Sequence, residues 1–158
     1  MINGRLLKQY DLLVALGITH LAAAALLLNS SKDIPAWVAQ YGYLVTTILI
    51  LLCCAIRLPK GFLTGIAIGI SSATLIRLVN DFFTNLHGPG VDFPMGLAGA
   101  ILGVITAAIY AKADIARNAE RGFIIGLVGT LSGYLLTMAL SCNTVIYCGP
   151  AFSWGTYP

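Results

Sequence analysis

Charge is what this chain has least of. Nine Lys and Arg and six Asp and Glu make 9% of its 158 residues charged, where a soluble domain carries about a quarter. With 58% of residues hydrophobic and a mean hydropathy of +0.88, a soluble reading fails. A domain of this length cannot hide that much apolar surface in one core and still cover itself with so few charges. Other absences narrow the class further. The formal net charge of +3 is scattered, with no basic run carrying interleaved aromatics, which argues against nucleic acid as a partner. No CxxC or His-rich spacing suggests a zinc site. No Gly-rich phosphate loop, Ser-His-Asp set or haem-ligating pair of histidines is present, so neither an enzyme, a resident metal nor a cofactor is expected.

Long apolar runs are abundant instead. Five segments, at about residues 10–28, 36–56, 62–83, 94–111 and 123–141, are long enough to cross a hydrocarbon core of about 30 Å, which takes roughly 20 helical residues. Short connectors rich in turn and breaker residues separate them: NSSKDIP, RLPKG, TNLHGPGVDF and KADIARNAERG. Only helices satisfy their own backbone groups in lipid without closing a barrel. The expected fold is therefore an all-α integral membrane protein, one polytopic domain over residues 1–158 with five transmembrane helices and a tail over 142–158. Arg5 and Lys8 before an apolar run holding Ala22 to Ala25 give the first segment a signal-like profile, but its length reads as a retained anchor.

Lys and Arg set the orientation. Arg5, Lys8, Arg57, Lys60, Lys112, Arg117 and Arg121 fall on one side of the five segments, and only Lys32 on the other. That bias puts the N-terminus in the cytoplasm and the C-terminal tail outside, as in a bacterial-type inner membrane. Tyr10, Tyr110 and Phe123 would mark the inner interface, and Trp37, Tyr41, Phe82, Phe83 and Phe93 the outer one. Tyr147, Phe152, Trp154 and Tyr157 suit an uncharged tail lying along the outer interface.

Glycines recur at small-xxx-small spacing: Gly61, Gly65 and Gly69 in the third segment, Gly99 and Gly103 in the fourth, Gly129 and Gly133 in the fifth. Such spacing lets helix backbones approach closely where lipid supplies no hydrophobic drive. It predicts tight packing among the last three helices, within one chain or at an interface between copies.

The cysteines form two pairs. Cys142 and Cys148, in SCNTVIYCGP, fall on the outer side, where an oxidising compartment favours a disulfide. Cys53 and Cys54 fall near the inner end of the second segment and need no role beyond packing. A vicinal pair plus a C-x5-C pair resembles the cysteine pattern of small mercuric-ion transport proteins, which implies relay of a soft metal ion. The likeness covers these four residues and no surrounding motif, and the topology separates the two pairs.

Ionisable and polar groups inside the spans are the remaining candidates. His20 falls mid-span in LGITHLAAA, where an ionisable side chain either marks a proton or ion pathway or hydrogen-bonds to a neighbouring helix. Asp11 reads as a first-turn carboxylate favoured by the helix dipole. In LIRLVNDFF, the residues Arg77, Asn80 and Asp81 stand at i, i+3 and i+4 and share one helix face, which should turn inward or to water. Snorkelling of Arg77 to the headgroups is the competing reading. Asp81 would sit at the unfavourable end of the dipole and so calls for a partner. His87 and Asp92 follow in TNLHGPGVDFPMG, with Asp92 also placed to cap a helix ahead of Pro94. Arg77, Asp81, His87 and Asp92 gathered at one outer vestibule would suit a cation or a pore entrance.

Val79-Asn80-Asp81 and Gly90-Val91-Asp92-Phe93 are similar to segments of the bacterial lipoprotein signal peptidases, membrane aspartyl proteases, and the resemblance implies two outer-face aspartates. The family's GN-xx-DR and FNxAD segments are absent here, and Asp92 matches a non-catalytic position. The function expected from the whole pattern is passage of a small ion or solute through an oligomer of a small membrane protein. The alternative is a non-catalytic membrane subunit of a secretion, defence or energy-transducing assembly.

Overall fold

A computed structural model describes residues 4–28, 36–56, 58–84, 92–113 and 118–144; over 4–8, 26–28, 36–39, 77–84 and 92–93, and at 41 and 113, it describes the backbone only. The described residues form five α-helices and no strand: α1 Gly4–Leu28, α2 Ala36–Ala55, α3 Phe62–Thr84, α4 Asp92–Ala113 and α5 Ala119–Thr144. Most begin or end a few residues beyond the apolar runs. Hydropathy marks the greasy stretch of a helix, whereas backbone hydrogen bonding continues into its polar ends. The largest difference is in α1, which starts at Gly4 rather than near Tyr10.

Two helices, Pro94–Lys112 and Ala119–Thr144, are long and apolar enough to cross a membrane by length and composition; Gly42–Ala55 and Phe62–Ile76 are shorter apolar stretches.

Helices consecutive in the chain alternate in direction. The start of α3 meets the start of α5, through Gly61 and Ala119, and Gly69 lies further along both against Thr130, so these two run parallel. Against them α4 runs antiparallel to α5, with Gly99 facing Gly133 and Gly103 facing Gly129. In space α5 lies between α3 and α4, α1 packs on α3, and α2 packs on α1 while touching α3 and α4.

Small residues set this arrangement. The buried positions of α5 recur every fourth residue, Gly122, Gly126, Thr130, Tyr134, Met138 and Cys142, a single stripe suited to ridge-into-groove packing. A Cβ at Gly65 would meet the Phe123 carbonyl oxygen, and one at Gly103 the Gly129 carbonyl oxygen. No larger residue fits either contact. Ala15, Ile50, Phe62, Ile66 and Val104, from α1 to α4, are essentially inaccessible at the centre.

Much of the described outer surface is apolar. Twenty large hydrophobic side chains, nineteen drawn from the five helices and Ile56 just past α2, are exposed, among them Leu21 at 73%, Leu13 and Ile109 at 67%, and Leu102 and Leu136 at 64%. The buried polar side chains are threonines: Thr19, Thr46, Thr74 and Thr130. Each donates its hydroxyl to the carbonyl four residues back in its own helix, at 2.6 to 2.9 Å.

Candidate functional site

Depth along the α1–α2 hairpin brings the first polar pair together. His20 stands eight residues before the end of α1 and Tyr43 seven after the start of α2, so antiparallel helices carry both to one level. The Tyr43 hydroxyl lies 2.6 Å from His20 Nε2, and His20 Nδ1 lies 2.7 Å from the Leu16 carbonyl oxygen. A carbonyl only accepts, so Nδ1 carries the hydrogen; neutral Nε2 is then the acceptor and the Tyr43 O–H the donor. The rings meet edge to face, with centroids 5.1 Å apart and planes at 79°. His20 is exposed and Tyr43 half-buried, so the pair opens on the outer surface of the protomer.

A second polar contact joins α1 to α3. Helix α3 starts after a break, RLPKG, in which Gly61 takes the left-handed conformation at φ 80 that favours glycine. The first N–H groups of a helix lack partners within it. Here the Gly61 N–H donates to Asp11 Oδ2 at 3.0 Å and the Thr64 N–H to Oδ1 at 3.1 Å, while the Thr64 hydroxyl donates to Oδ1 at 2.5 Å. A carboxylate at a helix N-terminus is also favoured by the dipole. Asp11 does this for α3 and not for α1, whose first turn holds no acidic residue. The first-turn reading is thereby corrected: α1 begins seven residues before Asp11, and the carboxylate serves another helix.

The other candidates divide by position. Arg77, Asn80 and Asp81 lie in the C-terminal part of α3, and Asp92 opens α4. The alternating helix directions bring that end of α3 and that start of α4 to the same end of the bundle. The side chains of these four residues, and all of His87 and Cys148, lie outside the described residues. Cys142 is fully buried near the C-terminus of α5. Cys53, buried, and Cys54, half-buried, are free thiols near the C-terminus of α2, at the opposite end of the bundle. Among the described residues no three His, Cys, Asp or Glu side chains gather as a metal site.

All the glycines singled out by spacing meet neighbours within the protomer. Gly61, Gly65 and Gly69 face α5, and Gly99, Gly103, Gly129 and Gly133 face one another across α4 and α5. Along the outer side of that α4–α5 contact runs an open groove of about 610 Å³, lined by Leu102, Thr106, Tyr110, Ile124, Val128 and Ser132 among others. The Thr106 and Ser132 hydroxyls bond to carbonyls of their own helices, so the groove presents a mainly apolar wall.

No family model, curated protein or solved structure matches this chain. Its own geometry therefore carries the functional argument. Sequence reading singled out His20 but missed Tyr43 and Thr64. The equal distances of His20 and Tyr43 from the α1–α2 turn were the signal available for the first. Nothing in the sequence announced that Asp11 would reach Thr64, more than fifty residues away.

Proposed function

We propose that this chain is a five-span integral membrane protein of a bacterial-type inner membrane, with its N-terminus in the cytoplasm and its tail outside. It works as an oligomer that passes a small ion or solute. The observation that carries the membrane reading is the exposed apolar surface of all five helices. Moving these twenty large side chains from water into lipid would gain about 1 kcal/mol each, roughly 20 kcal/mol in all. Exposed Lys112 and Arg121 at one end of the bundle support the orientation. An outer-side bridge between Cys142 and Cys148 is part of this proposal: Cys142 stands near the C-terminus of α5, at the opposite end of the bundle from the free thiols Cys53 and Cys54.

Passage is supported by the His20–Tyr43 pair, a polar and titratable group at mid-span of the α1–α2 hairpin, since such groups inside a membrane are costly and mark pathways. A second reading, a non-catalytic subunit of a larger membrane assembly, draws on a different observation: the described core is mainly apolar, and its four buried threonines bond back to their own helices. Purified protein in liposomes separates the two. Ion or solute flux above that of empty vesicles supports passage. Silent vesicles together with fixed partner proteins on affinity purification would support the subunit reading and remove the first.

A further inference from the structure

The centre of the described core of one protomer is apolar. Ile50, Phe62, Ile66 and Val104 close it, and Thr19, Thr46, Thr74 and Thr130 turn their hydroxyls back onto their own helices. The mid-span titratable pair lies on the outside instead, with His20 exposed. On the same face stands a glycine without an internal reason. A Cβ built on Gly65, Gly69, Gly99, Gly103, Gly129 or Gly133 runs into a neighbouring helix, whereas one at Gly17 meets nothing within 4 Å. A glycine inside a helix weakens it relative to alanine, and at Gly17 no contact within the protomer offsets that. Gly17 and His20 are three residues apart, and Leu13, Gly17, His20, Leu21 and Ala24 make one exposed stripe of α1.

Resting on the passage reading above, we infer that a second copy of this chain docks along this α1 stripe, and that the Tyr43–His20 pair carries protons in the seam between the copies. A two-fold axis along the membrane normal sets equal depths against each other, so Gly17 faces Gly17 of the second copy and the backbones can approach closely. The stripe carries no formal charge on its five residues, so two copies meet there without like-charge repulsion. Docking also removes the histidine from lipid, where an exposed ionisable group is penalised.

The proton step follows from the hydrogen bonds. In the neutral pair Nδ1–H donates to the Leu16 carbonyl and Nε2 accepts from the Tyr43 hydroxyl. Hydronium at one mouth of the seam gives a proton to the Tyr43 oxygen as the phenol's own proton passes to Nε2, leaving neutral water. The resulting imidazolium donates from both nitrogens, to Leu16 and to Tyr43. Return of the Nε2 proton to the Tyr43 oxygen, as the phenol proton passes to water on the side of the other mouth, restores the neutral pair and makes hydronium there. One proton enters and one leaves, and no electrons move. Asp11, the other described titratable side chain of α1 with a cross-helix bond, is held on α3 nine residues away from His20, and Tyr43 is the titratable group that α2 turns toward the ring.

The test is proton uptake by proteoliposomes of the full chain loaded with a pH-sensitive dye, with empty vesicles as background. Wild type is expected to acidify its lumen, His20→Gln and Tyr43→Phe to do so at least tenfold more slowly. Gly17→Leu, whose side chain enters open space in the protomer, is expected to stay folded, lose dimers and lose flux. Gly17→Cys is expected to give a disulfide-linked homodimer on mild oxidation in native membranes. Undiminished flux in His20→Gln overturns the proton role. Full flux in Gly17→Leu, or a Gly17→Cys cross-link only to a different protein, overturns the seam between copies. Wild-type vesicles that pass K+ or Na+ but not protons overturn this inference and leave the passage reading standing; vesicles silent to every ion overturn both.

Discussion

At the scale of single residues, Asp11 shows how a polar side chain holds two helices in a mainly apolar molecule. Its carboxylate takes three hydrogen bonds from Gly61 and Thr64, groups that the start of α3 otherwise leaves without partners. A bond to a charged group contributes about 1.5–3 kcal/mol, and the half-buried setting of Asp11 weakens each one. Asp11→Ala should therefore lower stability by about 2 kcal/mol in mixed-micelle unfolding. Asp11→Asn should fall between it and wild type, because the amide oxygen still accepts while the charge is gone. An Asp11→Ala protein as stable as wild type would show that the contact holds nothing. Thr64→Val, which keeps the backbone N–H and removes the hydroxyl, should cost about 1 kcal/mol in the same assay. His20 is the converse case. Its two ring nitrogens are already engaged, so what distinguishes it from a satisfied core histidine is its exposure rather than a missing partner.

At the scale of helices, glycine decides who packs on whom. Gly99, Gly103, Gly129 and Gly133 let the α4 and α5 backbones touch, Gly65 does the same for α3 and α5, and Gly69 makes room for the Thr130 side chain. Gly103→Leu would drive a side chain into the Gly129 and Gly133 backbone, where no flexible neighbour can yield. It should cost about 3 kcal/mol, the upper part of the overpacking range. Cysteines placed at Leu102 and Val128, both on the α4–α5 groove, would report by spin-label distances whether the two helices move apart. Gly17→Ala should behave in the opposite way for the isolated protomer in detergent, raising stability by about 0.5 kcal/mol. The repeated spacing of glycines was visible in the sequence, but spacing gives a face and not its partner. Gly17 has the same composition as the others and a different setting.

At the scale of the whole molecule, the arrangement is a helical bundle with an apolar outside and a core of small, aliphatic and aromatic side chains. The starts of the mutually parallel α3 and α5 lie at one end, near Lys60 and Arg121. The proposed topology predicts that membrane-impermeant thiol reagents will not label Cys148 from outside until an external reductant is added, and will then label it, while Cys142, fully buried, stays protected until the protein is unfolded. Labelling of the tail from the cytoplasmic side would reverse the orientation. The two readings of function separate at this scale too, because passage between copies demands an oligomer of this chain alone, whereas a membrane subunit requires other chains.

Composition and periodicity by themselves determined that this chain forms helices and that those helices are largely apolar, two of them long and apolar enough to cross a membrane. Both follow from local physics: an apolar run of about twenty residues must satisfy its backbone internally, and few charges leave no way to cover it in water. Helix number was legible for the same reason. Partnership was not. That α5 sits between α3 and α4, that Asp11 caps α3, and that His20 meets Tyr43 on the outside were decided only when the helices were assembled. Each depends on which of several equivalent faces of a helix finds a neighbour, and a nearly uniform apolar sequence leaves those faces almost indistinguishable until small residues let one pair of backbones come closest.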